Sequence, residues 1–151
     1  MKIEYTLFGI EDTQRIAIIL SKYLQGVVIL LSGDIGAGKT TFASFFINAL
    51  STVPQNITSP TFPIVQSYET TIGTVYHLDL YRIENEIELR QLGLEEILLN
   101  TCLIEWSEKL GSYTPKHFVK INIINEGTTR KMIISFSKKY EDIFKAINHD
   151  L

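Results

Sequence analysis

Val27-Val28-Ile29-Leu30-Leu31-Ser32-Gly33-Asp34-Ile35-Gly36-Ala37-Gly38-Lys39-Thr40-Thr41 is the stretch that decides the fold. A β-branched and aliphatic run stops at a glycine-rich loop, and an amphipathic segment follows at once. An apolar run without alternation is what a strand covered on both faces of a parallel sheet requires. Gly33, Gly38, Lys39 and Thr40 fit G-x-x-x-x-G-K-[ST], the pattern of a phosphate-binding P-loop. Glycines allow close approaches that a Cβ would block, so successive N–H groups can converge on phosphate oxygens. The following helix adds the positive end of its dipole. Lys39 supplies a point charge for the β- and γ-phosphates, and the Thr40 hydroxyl is suited to Mg²⁺. Gly33, Asp34, Ile35, Gly36, Ala37, Gly38, Lys39, Thr40 and Thr41 are therefore the nucleotide-binding candidates.

Outward from this loop, 151 residues predict a single domain spanning 1–151. The 14 basic and 17 acidic residues leave a net charge of −3. No Lys/Arg run stands out, so the chain lacks an electrostatic footprint of its own for nucleic acid. The single cysteine, Cys102, rules out an internal disulfide and suits a reducing compartment. The first residues hold no apolar leader, and the longest apolar runs fall far short of a membrane span. The expected location is the cytoplasm, with no membrane partner.

Ile3 to Phe8 predicts a short strand, and Ile16, Leu20, Tyr23 and Leu24 repeat at helical spacing before Gly26. After the loop, Phe42, Phe45, Phe46, Ala49 and Leu50 predict the inner face of a helix. Thr61–Tyr68 and Thr74–Tyr81 read as antiparallel strands joined near Gly73. Pro63 makes the first of them an edge strand or a late-starting one. On the second, His77, Asp79 and Tyr81 share a face by the period of two. Ile83–Leu99 predicts helix broken near Gly93, Thr101–Ile104 a short apolar strand, and Ser112–Pro115 a loop. His117–Asn125 and Arg130–Ser137 read as a hairpin, and Tyr140, Ile143, Phe144 and Ile147 as a terminal amphipathic helix. The architecture that fits is an α/β P-loop domain: a mixed, mainly parallel sheet flanked by helices, with an antiparallel C-terminal hairpin.

Hydrolysis at a P-loop needs a carboxylate at the metal and a group that orients the attacking water. Glu105 closes the run Cys102-Leu103-Ile104, the layout of a Walker B acid. Asp79 follows Tyr76-His77-Leu78, with Arg82 nearby. Both stand at predicted strand ends, where α/β proteins gather their ligands. Either acid could face the metal. The apolar strand before Glu105 favours it for the Mg²⁺ side, with Thr40, and leaves Asp79 for the water or the γ-phosphate. Arg82 reads equally as a phosphate contact or a surface residue. A GTPase would carry Asn-Lys-x-Asp late in the chain and a small nucleotide kinase an Arg-rich lid; neither is present. A nucleotide-gated binding module in which hydrolysis is dispensable stays open.

The loop Gly33–Phe42, then Ser59-Pro60-Thr61-Phe62, His77-Leu78-Asp79-Leu80-Tyr81-Arg82, Leu92-Gly93-Leu94 and Ile104-Glu105-Trp106 together resemble the TsaE family in order and spacing. The resemblance runs from about Thr6 to about Glu108. It implies the ATPase component of tRNA threonylcarbamoyladenosine synthesis, using ATP and Mg²⁺. It implies two protein partners, a threonylcarbamoyl transferase subunit and its inactive paralogue, with tRNA met only through them. Asp79 and Glu105 would be the two functional acids. Ser59 and Thr61 would lie on one switch-like loop, and His77, Tyr81 and Arg82 on a second, with Trp106 beside Glu105. Pro63, where Thr is more usual, and Ser107, where Pro commonly follows the Trp, depart from the family pattern beside its motifs.

Overall fold

Val28–Ser32 forms β2, at the centre of a seven-stranded sheet in a computed structural model that describes residues 1–151. β2 lies between β5 (Thr101–Glu105) and β6 (Val119–Glu126) and runs parallel to both. β4 (Gly73–Asp79) follows parallel to β5, and β3 (Val65–Thr70) closes that edge antiparallel. On the other side β7 (Thr129–Phe136) turns back antiparallel on β6, and β1 (Lys2–Leu7) closes the far edge against β7. The order is β1-β7-β6-β2-β5-β4-β3. The sheet is mixed, parallel across its four central strands and antiparallel at both margins.

The unalternating apolar run of β2 has its explanation in the two layers around it. Ile29 and Leu31 pack with α1 (Ile10–Tyr23), α2 (Lys39–Ala49) and α5 (Glu141–Asp150). Val28 and Leu30 pack on the opposite face with α3 (Glu86–Gln91), α4 (Leu94–Ile97) and Leu110 of a short 3₁₀ stretch, Ser107–Tyr113. Phe42 and Phe46 of α2 are fully buried. Burial of such side chains contributes roughly 1.5–3 kcal/mol each. The aromatic stripe is core, and it anchors the helix that begins at Lys39.

Five expectations shift in detail. Ala49 faces solvent, and Ala43 and Ile47 complete the buried face of α2. The strand expected from Thr61 begins at Val65, as Pro63 allowed, and it is an edge strand. Ahead of it Ile64 sits at φ 67, with Val65 N–H on the Pro63 carbonyl at 2.7 Å. That is a tight three-residue turn, strained for a β-branched residue. The strand expected to reach Tyr81 ends at Asp79, whose Oδ1 accepts from Tyr81 N–H at 3.0 Å. This side-chain turn leaves Tyr81 beyond the end of the strand, where the period of two no longer places it. Finally, the predicted 83–99 helix is two short ones beginning only at Glu86, separated at Gly93 (φ 72), and Ser112 belongs to the 3₁₀ stretch.

Candidate functional site

The site lies where the parallel strands end. The register pairs Leu31 with Glu105 and Asp79 with Glu105, so the ends of β2, β5 and β4 stand side by side. The loop Gly33–Gly38 leaves β2 there and feeds α2. Two of its glycines are favoured by the backbone, Gly33 by space and by its φ and Gly38 chiefly by its φ. A Cβ on Gly33 would lie 2.4 Å from the Ile123 carbonyl oxygen, and Gly33 has φ 139. A Cβ on Gly38 would meet the Arg130 guanidinium at 2.8 Å, and Gly38 has φ 114. The first turn of α2 starts at Lys39, so its backbone N–H groups lack intrahelical acceptors and face the loop.

Around this turn lies a cavity of about 470 Å³. Ile35, Gly36, Gly38, Lys39, Thr40 and Thr41 line it from the loop side. Ser59, Thr61, Asp79, Tyr81, Glu105 and Trp106 close it from three other segments. The remaining loop candidates take other positions: Ala37 is buried, and Gly33 and Asp34 border a separate hollow behind the loop. His77 lies beneath the cavity, fully buried. Arg82 is outside it, with its guanidinium 4.4 Å from the ring centre of the exposed Phe62.

The polar groups are already in contact. Thr40 Oγ1 lies 3.1 Å from both carboxylate oxygens of Glu105, and His77 Nε2 lies 2.6 Å from Oε2. Ser59 Oγ donates to Asp79 Oδ2 at 2.5 Å, and Thr61 Oγ1 donates to the same oxygen at 3.2 Å. Asp79 therefore ties the Ser59–Thr61 loop to the end of β4. Lys39 Nζ donates to the Gly33 carbonyl at 2.5 Å and sits 4.3 Å from the centre of the Trp106 ring. Trp106 in turn packs on Tyr81, centroids 5.0 Å apart, and holds a left-handed backbone (φ 58). Burial pushes the Cys102 thiol up to about 12, which removes it as a nucleophile at neutral pH.

Sequence reasoning missed Arg130. Its Nη1 donates to the Ala37 carbonyl at 2.8 Å, and its side chain borders the main cavity. It also borders a second one of about 430 Å³ between the Leu7–Ile10 turn and the Asn125–Thr129 turn, joined to the first through Gly38 and Thr41. No local signal marks Arg130; it reaches the loop only because β7 lies next to β6 and β6 next to β2.

The donor set fits a Mg²⁺–nucleotide complex. No group of three His, Cys, Asp or Glu forms a metal cage by itself. One or two carboxylates plus a hydroxyl, with the remaining positions left to phosphates and water, is how Mg²⁺ is held in nucleotide sites. Thr40 and Glu105 would supply those hard oxygens, with Asp79 beside them. No helix is long and apolar enough to cross a membrane.

Comparison with known proteins places the chain in a family. The family model described as Threonylcarbamoyl adenosine biosynthesis protein TsaE matches residues 9–133. A tRNA threonylcarbamoyladenosine biosynthesis protein TsaE from Rickettsia felis is 40% identical over 115 residues, covering 75% of this chain and 67% of the relative. The protein of that name from Bacillus subtilis is 34% identical over 146 residues, covering 93% and 90%. The crystal structure of Bacillus subtilis YdiB superimposes with a TM-score of 0.79 at 28% identity, covering 100% of this chain and 97% of the other. With most of its length matched by that model and by these relatives, the chain belongs to the TsaE family of tRNA threonylcarbamoyladenosine biosynthesis.

Proposed function

We propose that this chain binds ATP with Mg²⁺ at the Gly33–Thr41 loop and hydrolyses it to sustain repeated rounds of tRNA threonylcarbamoyladenosine modification. It would act with a threonylcarbamoyl transferase subunit and that subunit's inactive paralogue. The observation that carries the reading is the contact of Thr40 with Glu105 beside Lys39 and Asp79 in one cavity at the strand ends. Bound Mg²⁺ would offset the charge between the β- and γ-phosphates. Thr40 and Glu105 would hold it, while Lys39 leaves the Gly33 carbonyl for a phosphate oxygen. The cavity shared by Gly38, Thr41 and Arg130 would continue from the phosphates towards the nucleoside.

Asp79 would orient the attacking water. Oδ2 accepts from both Ser59 and Thr61, so freeing that oxygen requires the Ser59–Thr61 loop to move, while Oδ1 accepts only from the Tyr81 N–H. Water activation and loop position are thereby linked, and a partner that reads the loop would read the nucleotide. The weakly acidic chain leaves tRNA binding to its partners.

The cation over the Trp106 ring gives an optical test of nucleotide binding. When phosphates draw Lys39 away, the only tryptophan loses a neighbouring ammonium, and its fluorescence should change on addition of ATP or ADP. A flat titration under conditions where calorimetry shows binding would place Lys39 and Trp106 outside the binding event. Turnover tests the rest. Arg130 borders the cavity but its Nη1 is held by the Ala37 carbonyl, so the isolated chain should hydrolyse ATP slowly. Adding both partners should raise the rate, by up to ~10³–10⁵ if one of them supplies an arginine in trans. A rate unmoved by the assembled partners would contradict a partner-coupled ATPase.

A further inference from the structure

His77 is the one buried side chain whose polar atoms are not all accounted for. It is fully buried on β4, with Nε2 2.6 Å from Glu105 Oε2 and Nδ1 without any partner. Its neighbour in the register is Leu103, two residues before Glu105, so its ring lies one layer deeper in the sheet than the two acids. From there it can touch Glu105 and cannot touch a ligand in the cavity.

We infer that His77 is the positioning residue of the metal-side carboxylate: it holds Glu105 Oε2 from beneath and so aims the carboxylate at Thr40. The chemistry of the pair supports this. A carboxylate 2% exposed needs donors, and the others within reach are the Thr40 and Ser59 hydroxyls, at 3.1 and 3.5 Å. Both belong to cavity-lining segments that must rearrange when Mg²⁺–ATP arrives. Only the imidazole comes from the sheet itself, and it stays when the hydroxyls turn to other work. Placing the ring proton on Nε2 gives Glu105 its donor and leaves no buried N–H on Nδ1 without an acceptor, the costly arrangement. A supporting donor behind a metal ligand fixes that ligand's orientation, and losing such a donor typically weakens metal affinity 10–100-fold. The inference rests on the ATPase reading above.

The test uses the intact chain with Mn²⁺ in place of Mg²⁺ and a non-hydrolysable ATP analogue, with Mn²⁺ affinity read by electron paramagnetic resonance. His77→Gln places an amide nitrogen near the position of Nε2 and keeps the donor. His77→Asn places its amide near Nδ1, short of Glu105, and keeps the polarity. His77→Asn should weaken Mn²⁺ binding about tenfold or more, whereas His77→Gln should stay close to the unaltered chain. Affinity for the analogue without metal should be the same in all three. Equal weakening in both variants, or none in His77→Asn, would overturn the positioning role. Failure of the unaltered chain to bind the Mn²⁺–analogue complex would instead overturn the ATPase reading, and that arm involves no His77 variant.

Discussion

Lys39→Ala is expected to lose most ATP affinity or turnover while the chain stays folded. Lys39 Nζ is the only ammonium lining the cavity. Its present partners are the Gly33 carbonyl and the Trp106 ring, both of the same protein, so it can be redeployed to phosphate without loss of fold. Removing one partner of a desolvated charge pair costs about 2–5 kcal/mol. At about 1.4 kcal/mol per factor of ten, that is roughly 30- to 3,000-fold. Alanine is a good residue at the start of a helix interior, so the thermal unfolding midpoint should change little. Thr40→Ala should act differently, weakening the Mg²⁺ dependence more than metal-free nucleotide binding, because the hydroxyl faces Glu105. Calorimetry and steady-state turnover check both. Unchanged binding and turnover in both variants would remove the loop from the function.

How much of this site was legible in sequence depended on how local each part is. The loop, its flanking strand and helix, and the strand-end acids were readable because each is written within a few consecutive residues. Glu105 follows three buried apolar residues, and Asp79 ends a strand paired beside it. What escaped was set by distant pairing. Arg130 reaches the Gly33–Gly38 loop only through the order of β7, β6 and β2, and β1 joins β7 across nearly the whole chain. Alternation gave the face of His77 but not its contact with Glu105 across the sheet. Tyr81 lies past the strand's end because the Asp79 side chain caps its own strand, a competition that periodicity does not register. The Ser59–Thr61 contacts with Asp79 join residues some twenty apart, and the Ile64 turn between them is one that no propensity favours.

The second large effect separates the two acids. Glu105→Gln should raise the Mg²⁺ requirement, since Glu105 is the carboxylate in contact with Thr40. Asp79→Asn should bind Mg²⁺–ATP normally and turn it over ~10²–10⁴-fold more slowly, the range that a positioned proton acceptor contributes. The substitution is mild for the fold. The amide oxygen can keep the Tyr81 N–H, and the amide nitrogen can turn to Ser59 Oγ. Binding isotherms at several Mg²⁺ concentrations, paired with turnover, distinguish the variants. The opposite pattern would mean that Asp79 serves the metal and Glu105 the water.

That same variant tests whether hydrolysis is the function or only binding. In a reconstituted reaction with the transferase, its paralogue, tRNA and threonylcarbamoyl donor, the chain carrying Asp79→Asn is assayed over many rounds of modification. The native chain should sustain successive rounds. The Asp79→Asn chain, which still binds Mg²⁺–ATP, should fall far behind it after the first rounds. If Asp79→Asn supports many rounds as well as the native chain while its ATP turnover is lost, hydrolysis is dispensable, and the chain works as a nucleotide-gated assembly module instead.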